Sequence, residues 1–140
     1  MKIVTIDASA AASWLFPSQR TRAADMFLEA SADRRFAAPG VFAWEIGNQI
    51  AVRARRDERE AGRLLTQLEA FEIDISPPVG AEAVFAYIGQ GLQRNLTLFD
   101  TAYLNHALAL GTSLASRDRQ LLDAAVKAGV EVFDLRDGAA

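Results

Sequence analysis

Short apolar segments typical of β-strands alternate along the whole chain with longer segments that have helical spacing. The first of these, KIVTI at residues 2–6, is mostly β-branched and apolar, which is typical of a strand covered on both faces. Such alternation predicts an α/β fold in three layers, a central parallel sheet with helices on both faces. The predicted strands are 2–6, 35–38, 71–76, 112–116 and 130–134, and the predicted helices are 8–16, 20–31, 41–56, 57–71, 80–93, 98–110 and 119–128.

Apolar residues at helical spacing support these helices. In the segment 41–56 they are Phe42, Ile46 and Ile50, which lie on one side of the helix. The helix at 80–93 is predicted from Val84, Phe85, Ile88 and Leu92.

The composition is that of an ordinary globular protein, with 51% hydrophobic and 24% charged residues. We predict one domain over residues 1–140, because the chain has no repeat, low-complexity tract or linker. No apolar run approaches the ~20 residues that a membrane span needs, and the first residues lack a signal peptide's apolar stretch. We therefore expect a cytoplasmic protein that does not enter a membrane.

Cysteine is absent and His106 is the single histidine. Disulfides, thiol catalysis and a zinc site made of several Cys or His ligands are therefore excluded. The net charge of −3 means that any contact with nucleic acid must use a local basic patch, because bulk positive charge is lacking.

Two predicted strands are followed by an aspartate that also begins a helix. Asp7 follows the strand at 2–6, and Asp118 follows the strand at 112–116. Ligands of a parallel α/β sheet bind beyond the carboxyl ends of its strands, so this edge is where the fold places chemistry. Each aspartate would equally serve as the N-cap of the next helix, and that purely structural role stays open for both.

Two further acids lie in predicted helices. Asp100 follows Thr97 by three positions, which is the spacing of a capping box with Thr97 as the cap. Glu45 and Asn48 are three positions apart and share one face of a helix that is otherwise largely apolar. A carboxylate and an amide on such an apolar helix are not well explained as solvent-exposed surface residues, so Glu45 and Asn48 are candidate site residues.

The acids and their surroundings together resemble a known family. The segments are VTIDASA around Asp7, WEIGN with Glu45 and Asn48, LTLFDTAYLNHAL around Asp100, and GTSLASRDRQL with Ser116 and Asp118. In this order and spacing they resemble the PIN-domain nucleases, and more closely the VapC-type ribonuclease toxins of type II toxin–antitoxin pairs. The resemblance covers essentially the whole chain. It implies a metal-dependent ribonuclease centred on the four acids, a homodimer, and inhibition by a cognate antitoxin protein.

Carboxylates that meet at one edge of a sheet must be neutralised by protons, which would raise one or more of their pKa values, or by cations. Two of them within ~4 Å repel by about 1 kcal/mol in water and by about 4 kcal/mol at an effective dielectric of about 20. Oxygen ligands suit hard Mg²⁺ or Mn²⁺. We expect Asp7 and Asp100 to be the main ligands, with Asp118 binding directly or through water. Glu45 would orient the attacking water or hold a second ion.

Neighbouring polar residues would support this site. Ser116 and Asn48 are expected to fix the carboxylates by hydrogen bonds. Arg117 and Arg119 flank Asp118 and are candidate contacts for the phosphates of an RNA substrate. The resemblance implies that water attacks, leaving a 5′-phosphate and a 3′-hydroxyl. Because the carboxylate site acts on the phosphate, which RNA and DNA share, the sequence does not show which of the two nucleic acids is cleaved.

Other functions fit the sequence less well. A phosphatase of the haloacid dehalogenase type needs a second aspartate two residues after the first, where this chain has Ser9. A response-regulator receiver domain needs an acidic pair at the first strand and a lysine after the last strand. The segments TIDAS and VFDLRDG supply neither. The remaining alternative is a non-catalytic PIN-like binding module whose acids are helix caps or hold a structural ion.

Overall fold

A computed structural model of the protein describes residues 2–138. Its five strands form one parallel sheet in the order β3-β2-β1-β4-β5, and seven α-helices of the described residues flank that sheet. The strands are β1 (Lys2–Ile6), β2 (Arg34–Ala38), β3 (Asp74–Ile75), β4 (Ser113–Ser116) and β5 (Val132–Asp134). The helices are α1 (Ala8–Leu15), α2 (Arg22–Glu29), α3 (Val41–Ala54), α4 (Glu58–Ala70), α5 (Ala81–Arg94), α6 (Leu98–Leu110) and α7 (Arg119–Lys127). This architecture confirms the predicted α/β fold.

The order of the strands creates a switch point at the centre of the sheet. From β1 the chain first moves outward on one side, through α1 to α4, to reach β2 and β3. It then crosses through α5 and α6 to β4, on the other side of β1, and continues through α7 to β5. Right-handed crossovers in opposite directions put the two groups of helices on opposite faces. The carboxyl ends of β1 and β4 are therefore the place at which such a fold binds ligands.

The core lies between the central strands and the helices that cover them. Val4 and Ile6 of β1 are buried, and so are Phe42, Ile46 and Ile50 of α3, which confirms the predicted inner side of α3. Burying one such side chain contributes about 1.5–3 kcal/mol. No helix within residues 2–138 has both the length and the apolar character that crossing a membrane requires.

The third strand is shorter than predicted. Residues 71–76 were expected to form a strand, but Phe71 ends α4 and only Asp74–Ile75 pair with β2. Between them Glu72 has a φ of 53°, in the left-handed region that residues other than glycine seldom adopt. The chain turns at Glu72, so the alternating pattern of FEIDIS becomes a strand only in its second half.

The apolar stripe that predicted α5 largely faces water. Phe85 and Leu92 are 67% and 79% exposed, and Ile88 is also exposed. Gly91 is the buried residue of α5, and a Cβ there would lie 2.9 Å from the Leu96 carbonyl oxygen and from Thr101 Oγ1. Glycine thus lets α5 approach the start of α6 closely, and the larger apolar side chains of α5 remain outside.

Candidate active site

Asp7 stands at the end of β1 and is almost completely buried, with 4% exposure. Its Oδ1 accepts hydrogen bonds from the backbone N–H of Ala10 (2.9 Å) and from Ser9 Oγ (2.7 Å). Its Oδ2 accepts one from Ser116 Oγ (2.6 Å). Burial raises the pKa of Asp7, and these hydrogen bonds oppose that rise. The predicted role as N-cap of α1 is correct, and it leaves the carboxylate at the switch point.

Asp118 reaches the same edge from β4. It is the N-cap of α7, and its Oδ1 accepts from the backbone N–H of Leu121 (3.2 Å). Ser116, the last residue of β4, accepts from the backbone N–H of Asp118 (2.8 Å) while donating to Asp7. One buried serine hydroxyl therefore ties together the two aspartates that follow adjacent strands. The negative charge of Asp118 also contributes to the raised pKa of Asp7.

Asp100 faces this pair from the first turn of α6. Burial, and then the negative charges of Asp118 and Asp7, raise the pKa of Asp100 to about 7. Glu45 adds a smaller effect in the same direction, whereas a hydrogen bond with Thr97 opposes it. The backbone N–H of Asp100 donates to Thr97 Oγ1 (3.1 Å), so Thr97 caps α6 as predicted. The effects on this pKa indicate that the other three acids all lie within electrostatic reach of Asp100.

Glu45 enters the cluster from the middle of α3 and is half-buried. Its Oε1 accepts a hydrogen bond of 2.7 Å from the hydroxyl of Tyr103, a buried residue of α6. Asn48, the predicted companion of Glu45, is exposed, and the hydrogen bonds of residues 2–138 include none from its side chain. The structure therefore brings Glu45 to the acids and gives no support for Asn48 as their hydrogen-bond partner.

The two predicted phosphate contacts differ in environment. Arg117 is half-buried, with its Nε donating to the Ser9 carbonyl oxygen (2.9 Å) and a terminal nitrogen donating to Gln19 Oε1 (2.6 Å). Its guanidinium is therefore occupied in joining the β4 edge to α1. Arg119 is 78% exposed, and its Nε lies 3.7 Å from Asp123 Oδ2. Of the two guanidinium groups, that of Arg119 is the more exposed to solvent.

The acids carry excess negative charge. Within residues 2–138 the ion pairs join Arg20 with Asp25, Arg63 with Glu60, Arg119 with Asp123 and Arg136 with Asp134, so none involves the four acids. No group of three or more His, Asp or Glu side chains in this part of the chain is arranged to hold an ion directly. Magnesium normally binds one or two carboxylates and keeps several waters. The oxygen donors and the uncompensated charge fit such a cation, with Asp7 already held in place.

Two residues that support the site were not predicted. Ser9 donates to Asp7 and also accepts from the backbone N–H of Arg117 (2.9 Å). Its position two residues after a helix-capping aspartate is a local signal that sequence reasoning could use. Tyr103 follows Asp100 by three positions on a buried helix, and a buried tyrosine hydroxyl usually finds a partner. Nothing in the sequence indicates that this partner is Glu45.

Comparison with known proteins gives consistent matches. Residues 4–127 match the family described as the PIN domain. The chain is 30% identical over 126 residues to a protein named Ribonuclease VapC3 of Pyrobaculum aerophilum, covering 88% of this chain and 94% of that one. It is similar in fold to PAE2754 of the same organism (TM-score 0.64, 22% identity, 94% and 90% coverage). It is also similar to VapBC2 from Rickettsia felis bound to a promoter DNA fragment (TM-score 0.67, 14% identity, 94% and 98% coverage) and to FitAcB from Neisseria gonorrhoeae (TM-score 0.66, 17% identity, 94% and 97% coverage).

Proposed function

The chain belongs to the PIN-domain family, and from this premise we propose that it is a Mg²⁺- or Mn²⁺-dependent endoribonuclease. The observation that carries the proposal is the convergence of Asp7, Glu45, Asp100 and Asp118 at the switch point, where none of them has an ion-pair partner among residues 2–138. The similarity to a protein named Ribonuclease VapC3 supports RNA as the substrate. An RNA substrate also implies a cytoplasmic site of action.

The residues of the site have separable tasks in this proposal. Asp7 and Asp100 hold the ion, and Asp118 binds it directly or through water. When bound, the ion polarises the scissile phosphate and makes hydroxide available near neutral pH. Ser9 and Ser116 keep the Asp7 carboxylate in one orientation through their hydrogen bonds. Glu45 accepts a proton from the attacking water or orients it, which yields a 5′-phosphate and a 3′-hydroxyl.

A digestion experiment tests the proposal. The purified protein is incubated with single-stranded RNA in Mg²⁺, in Mn²⁺ and in excess chelator, with the Asp100→Asn variant as the matched control. We expect cleavage with either ion, and none with chelator or in the variant. Cleavage that survives chelation would exclude the metal mechanism, and equal cleavage by the variant would point to a contaminating nuclease.

The alternative of a non-catalytic module has a specific observation in its favour, because Asp7 and Asp118 do cap helices. The variant Asp118→Ala separates the two functions. In either case loss of the α7 cap should cost about 1 kcal/mol of stability. For an enzyme we expect the wild type to cleave RNA and the folded variant not to, whereas a module whose acids are only caps would show no cleavage in either form.

A cognate antitoxin is the proposed protein partner. The resemblance to VapC-type toxins implies it, and the similar VapBC2 and FitAcB structures support it. Co-expression with the product of the neighbouring gene tests this partner. We expect the two proteins to co-purify in a complex that does not cleave RNA. Undiminished RNA cleavage in a mixture of the two proteins would contradict the proposed partner.

A second copy of the chain is the proposed occupant of an exposed apolar surface formed by α5 and by single residues of α3 and α6. This surface, the α5 face, consists of Trp44, Phe85, Ile88, Leu92 and Phe99, all exposed. Two of its residues, Trp44 and Phe99, also line a cleft of about 220 Å³ whose walls are almost entirely apolar. Aromatic residues bury about 150–250 Å² each, so three of them supply much of the ~800 Å² per partner of a standard interface.

The charges at the ends of α5 favour two copies related by a two-fold axis. Between residues 76 and 99 the only charged residues are Glu82 and Arg94, at opposite ends of α5. Packing α5 antiparallel against the α5 of the second copy would bring each Glu82 toward an Arg94. This depletion of charge also disfavours RNA as the occupant, because RNA binding needs positive charge.

Light scattering at several concentrations tests this arrangement. We expect a wild-type dimer, a weaker dimer for Glu82→Arg and for Arg94→Glu, and recovery when both changes are combined in one chain. A monomer at every concentration would contradict the homodimer. A dimer unaffected by all three variants would place its interface elsewhere.

A further inference from the structure

The hydroxyl of Tyr103 is the one polar group of a side chain that is otherwise part of the hydrophobic core. The residue is 1% exposed and is among the largest fully buried side chains of the protein. It lies on α6, one turn after Asp100, and its hydroxyl donates to Glu45 Oε1 on α3 at 2.7 Å. The bond therefore joins the two helices that carry the Glu45 and Asp100 carboxylates.

This phenol can act only as a donor toward Glu45. Burial raises the pKa of Tyr103 far above its usual range, and the negative charges of Glu45 and Asp7 raise it further. The backbone N–H of Ala8 faces the phenol oxygen and opposes this rise. At 2.7 Å from Glu45 Oε1, which as a carboxylate oxygen accepts, the phenol directs its single hydroxyl proton at Glu45. Such a hydrogen bond to a carboxylate is stronger than one between neutral groups.

Glu45 depends on this bond for its orientation. Within residues 2–138 its carboxylate has no ion-pair partner, and Tyr103 is the side chain that donates to it. Asp7, by contrast, accepts three hydrogen bonds. A glutamate has three rotatable side-chain torsions, so an unanchored carboxylate would turn away from the other acids toward water.

We propose that Tyr103 is a positioning residue whose buried hydroxyl holds the Glu45 carboxylate on the side of α3 that faces α6 and Asp100. The inference rests on the proposed nuclease function for its catalytic consequence, but the positioning itself is a property of the ion-free protein. Tyr103 is buried and does not contact RNA. Its loss therefore affects the chemical step and ion binding, and leaves substrate affinity unchanged.

The chain offers a matched control, because its two tyrosines are Tyr87 and Tyr103. Tyr103→Phe removes only the hydroxyl and keeps the ring in the core. Tyr87→Phe makes the same chemical change in the apolar cleft beside α5, and within residues 2–138 the Tyr87 hydroxyl makes no hydrogen bond to any of the four acids. Both variants are compared in the wild-type background and in the Glu45→Ala background, which separates an effect through Glu45 from any other effect.

The first measurement needs neither RNA nor metal. In protein labelled with ¹³C at the glutamate carboxyl groups, we expect the Glu45 resonance to move in Tyr103→Phe and to stay in place in Tyr87→Phe. The midpoint of thermal unfolding of Tyr103→Phe should remain close to that of the wild type. A Glu45 resonance that is unchanged in Tyr103→Phe would overturn the proposal.

The second measurement follows Mn²⁺ affinity by calorimetry and cleavage by steady-state kinetics. Loss of a residue that orients a metal ligand typically costs about 10- to 100-fold in affinity or activity. We expect a loss of this size in kcat or in Mn²⁺ affinity for Tyr103→Phe, an unchanged KM, and no additional loss in the Glu45→Ala background. An equal loss in both backgrounds would overturn the positioning role. A wild-type protein that does not cleave RNA would contradict the proposed function, while the carboxyl resonance would still decide the role of Tyr103.

Discussion

The four acids of the site differ in their hydrogen bonds according to whether they follow a strand (Asp7 and Asp118, the strand side) or lie within a helix (Glu45 and Asp100, the helix side). On the strand side, Asp7 accepts three hydrogen bonds and Asp118 caps α7. On the helix side, Glu45 accepts one hydrogen bond from Tyr103. Asp100 has its pKa raised to about 7, mainly by burial and by neighbouring negative charges.

The fold itself stabilises the carboxylates of Asp7 and Asp118 through hydrogen bonds, whereas the Asp100 carboxylate would be stabilised by a bound cation. The strand-side carboxylates are helix caps and hydrogen-bond acceptors, so removing one damages the fold as well as the site. The helix-side carboxylate of Asp100 is repelled by its neighbours, so the ion-free protein bears a cost for keeping it charged. Replacing either Asp7 or Asp100 should therefore abolish cleavage. Replacing Asp7 should lower the stability of the ion-free protein, whereas replacing Asp100 should not.

Replacing Asp7 should have the largest effect. Asp7→Ala removes a metal ligand, the N-cap of α1, and the acceptor for Ser9 and Ser116. We expect cleavage to be lost and the free energy of unfolding to fall by about 2 kcal/mol, because a lost cap and unpaired buried hydroxyls both destabilise. Denaturant unfolding in chelator measures the loss. If Asp7→Ala is as stable as the wild type, the Asp7 carboxylate does not contribute to stability and does not differ from Asp100 in this respect.

Asp100→Asn should abolish cleavage with the opposite effect on stability. The amide has nearly the same shape but relieves the repulsion from Asp118 and Asp7. In chelator at pH 8 we expect the free energy of unfolding to be unchanged or higher by about 1–2 kcal/mol, after allowance for solvent screening of this partly exposed group. Thermal melts of variant and wild type provide the comparison. A clearly lower midpoint for the variant would make the Asp100 carboxylate structural.

The ion-free wild type should lose stability as pH rises. Asp100 has a folded-state pKa of about 7, against an ordinary value of 3.8. The folded protein therefore holds a proton that the unfolded chain has released, and this stabilisation, complete below pH ~4, is lost as pH rises through about 7. Thermal midpoints in chelator should decline from about pH 4 to about pH 7 and level off above it, with a shallower decline in Asp100→Asn. Parallel profiles would assign the pH dependence to other groups.

Most of the fold was predictable because its signals are local. Alternating strand and helix patterns, the cap at Thr97 and the aspartates at the strand ends are all read within a few residues of one another. The parallel sheet and the meeting of Asp7 with Asp118 follow from that order by the rules of α/β topology. That residues 1–140 form a single domain stays a prediction.

The details that were missed depend on contacts between distant parts of the chain. The bond from Tyr103 to Glu45 spans 58 positions, and the bond from Arg117 to the Ser9 carbonyl spans 108. Periodicity identifies the apolar side of α5 but not what covers it, so the exposure of Phe85 could not be foreseen. Each of these outcomes is set by packing, which local patterns do not encode.

Ser116→Ala should produce an intermediate effect on the strand side. It removes the hydroxyl that donates to Asp7 and accepts from the Asp118 backbone. We expect about a 10-fold weaker affinity for Mn²⁺, the lower end of the range for residues that orient metal ligands, because Ser9 still holds Asp7. Calorimetry with Ser18→Ala, an exposed serine after α1, as the control measures the difference. Equal affinities for both variants would show that Ser116 does not organise the site.

The two arginines near Asp118 should have the smallest effects, and these should differ in kind. Arg119→Ala removes an exposed cation and should raise the KM for RNA a few-fold, with a reduced dependence on salt. Arg117→Ala removes the bonds to Ser9 and Gln19 and should lower the thermal midpoint without changing the salt dependence. Cleavage kinetics at two salt concentrations separate them, and the reverse assignment would mean that Arg117 contacts the RNA.

The central claim is that the four acids form one cation site at the switch point. A crystal structure of the protein soaked in Mn²⁺, with anomalous data, tests this most directly. We predict an anomalous peak within bonding distance of Asp7 and Asp100, with Asp118 bound directly or through water. Anomalous density absent from this cluster at millimolar Mn²⁺, or present only at other surface carboxylates, would contradict the account.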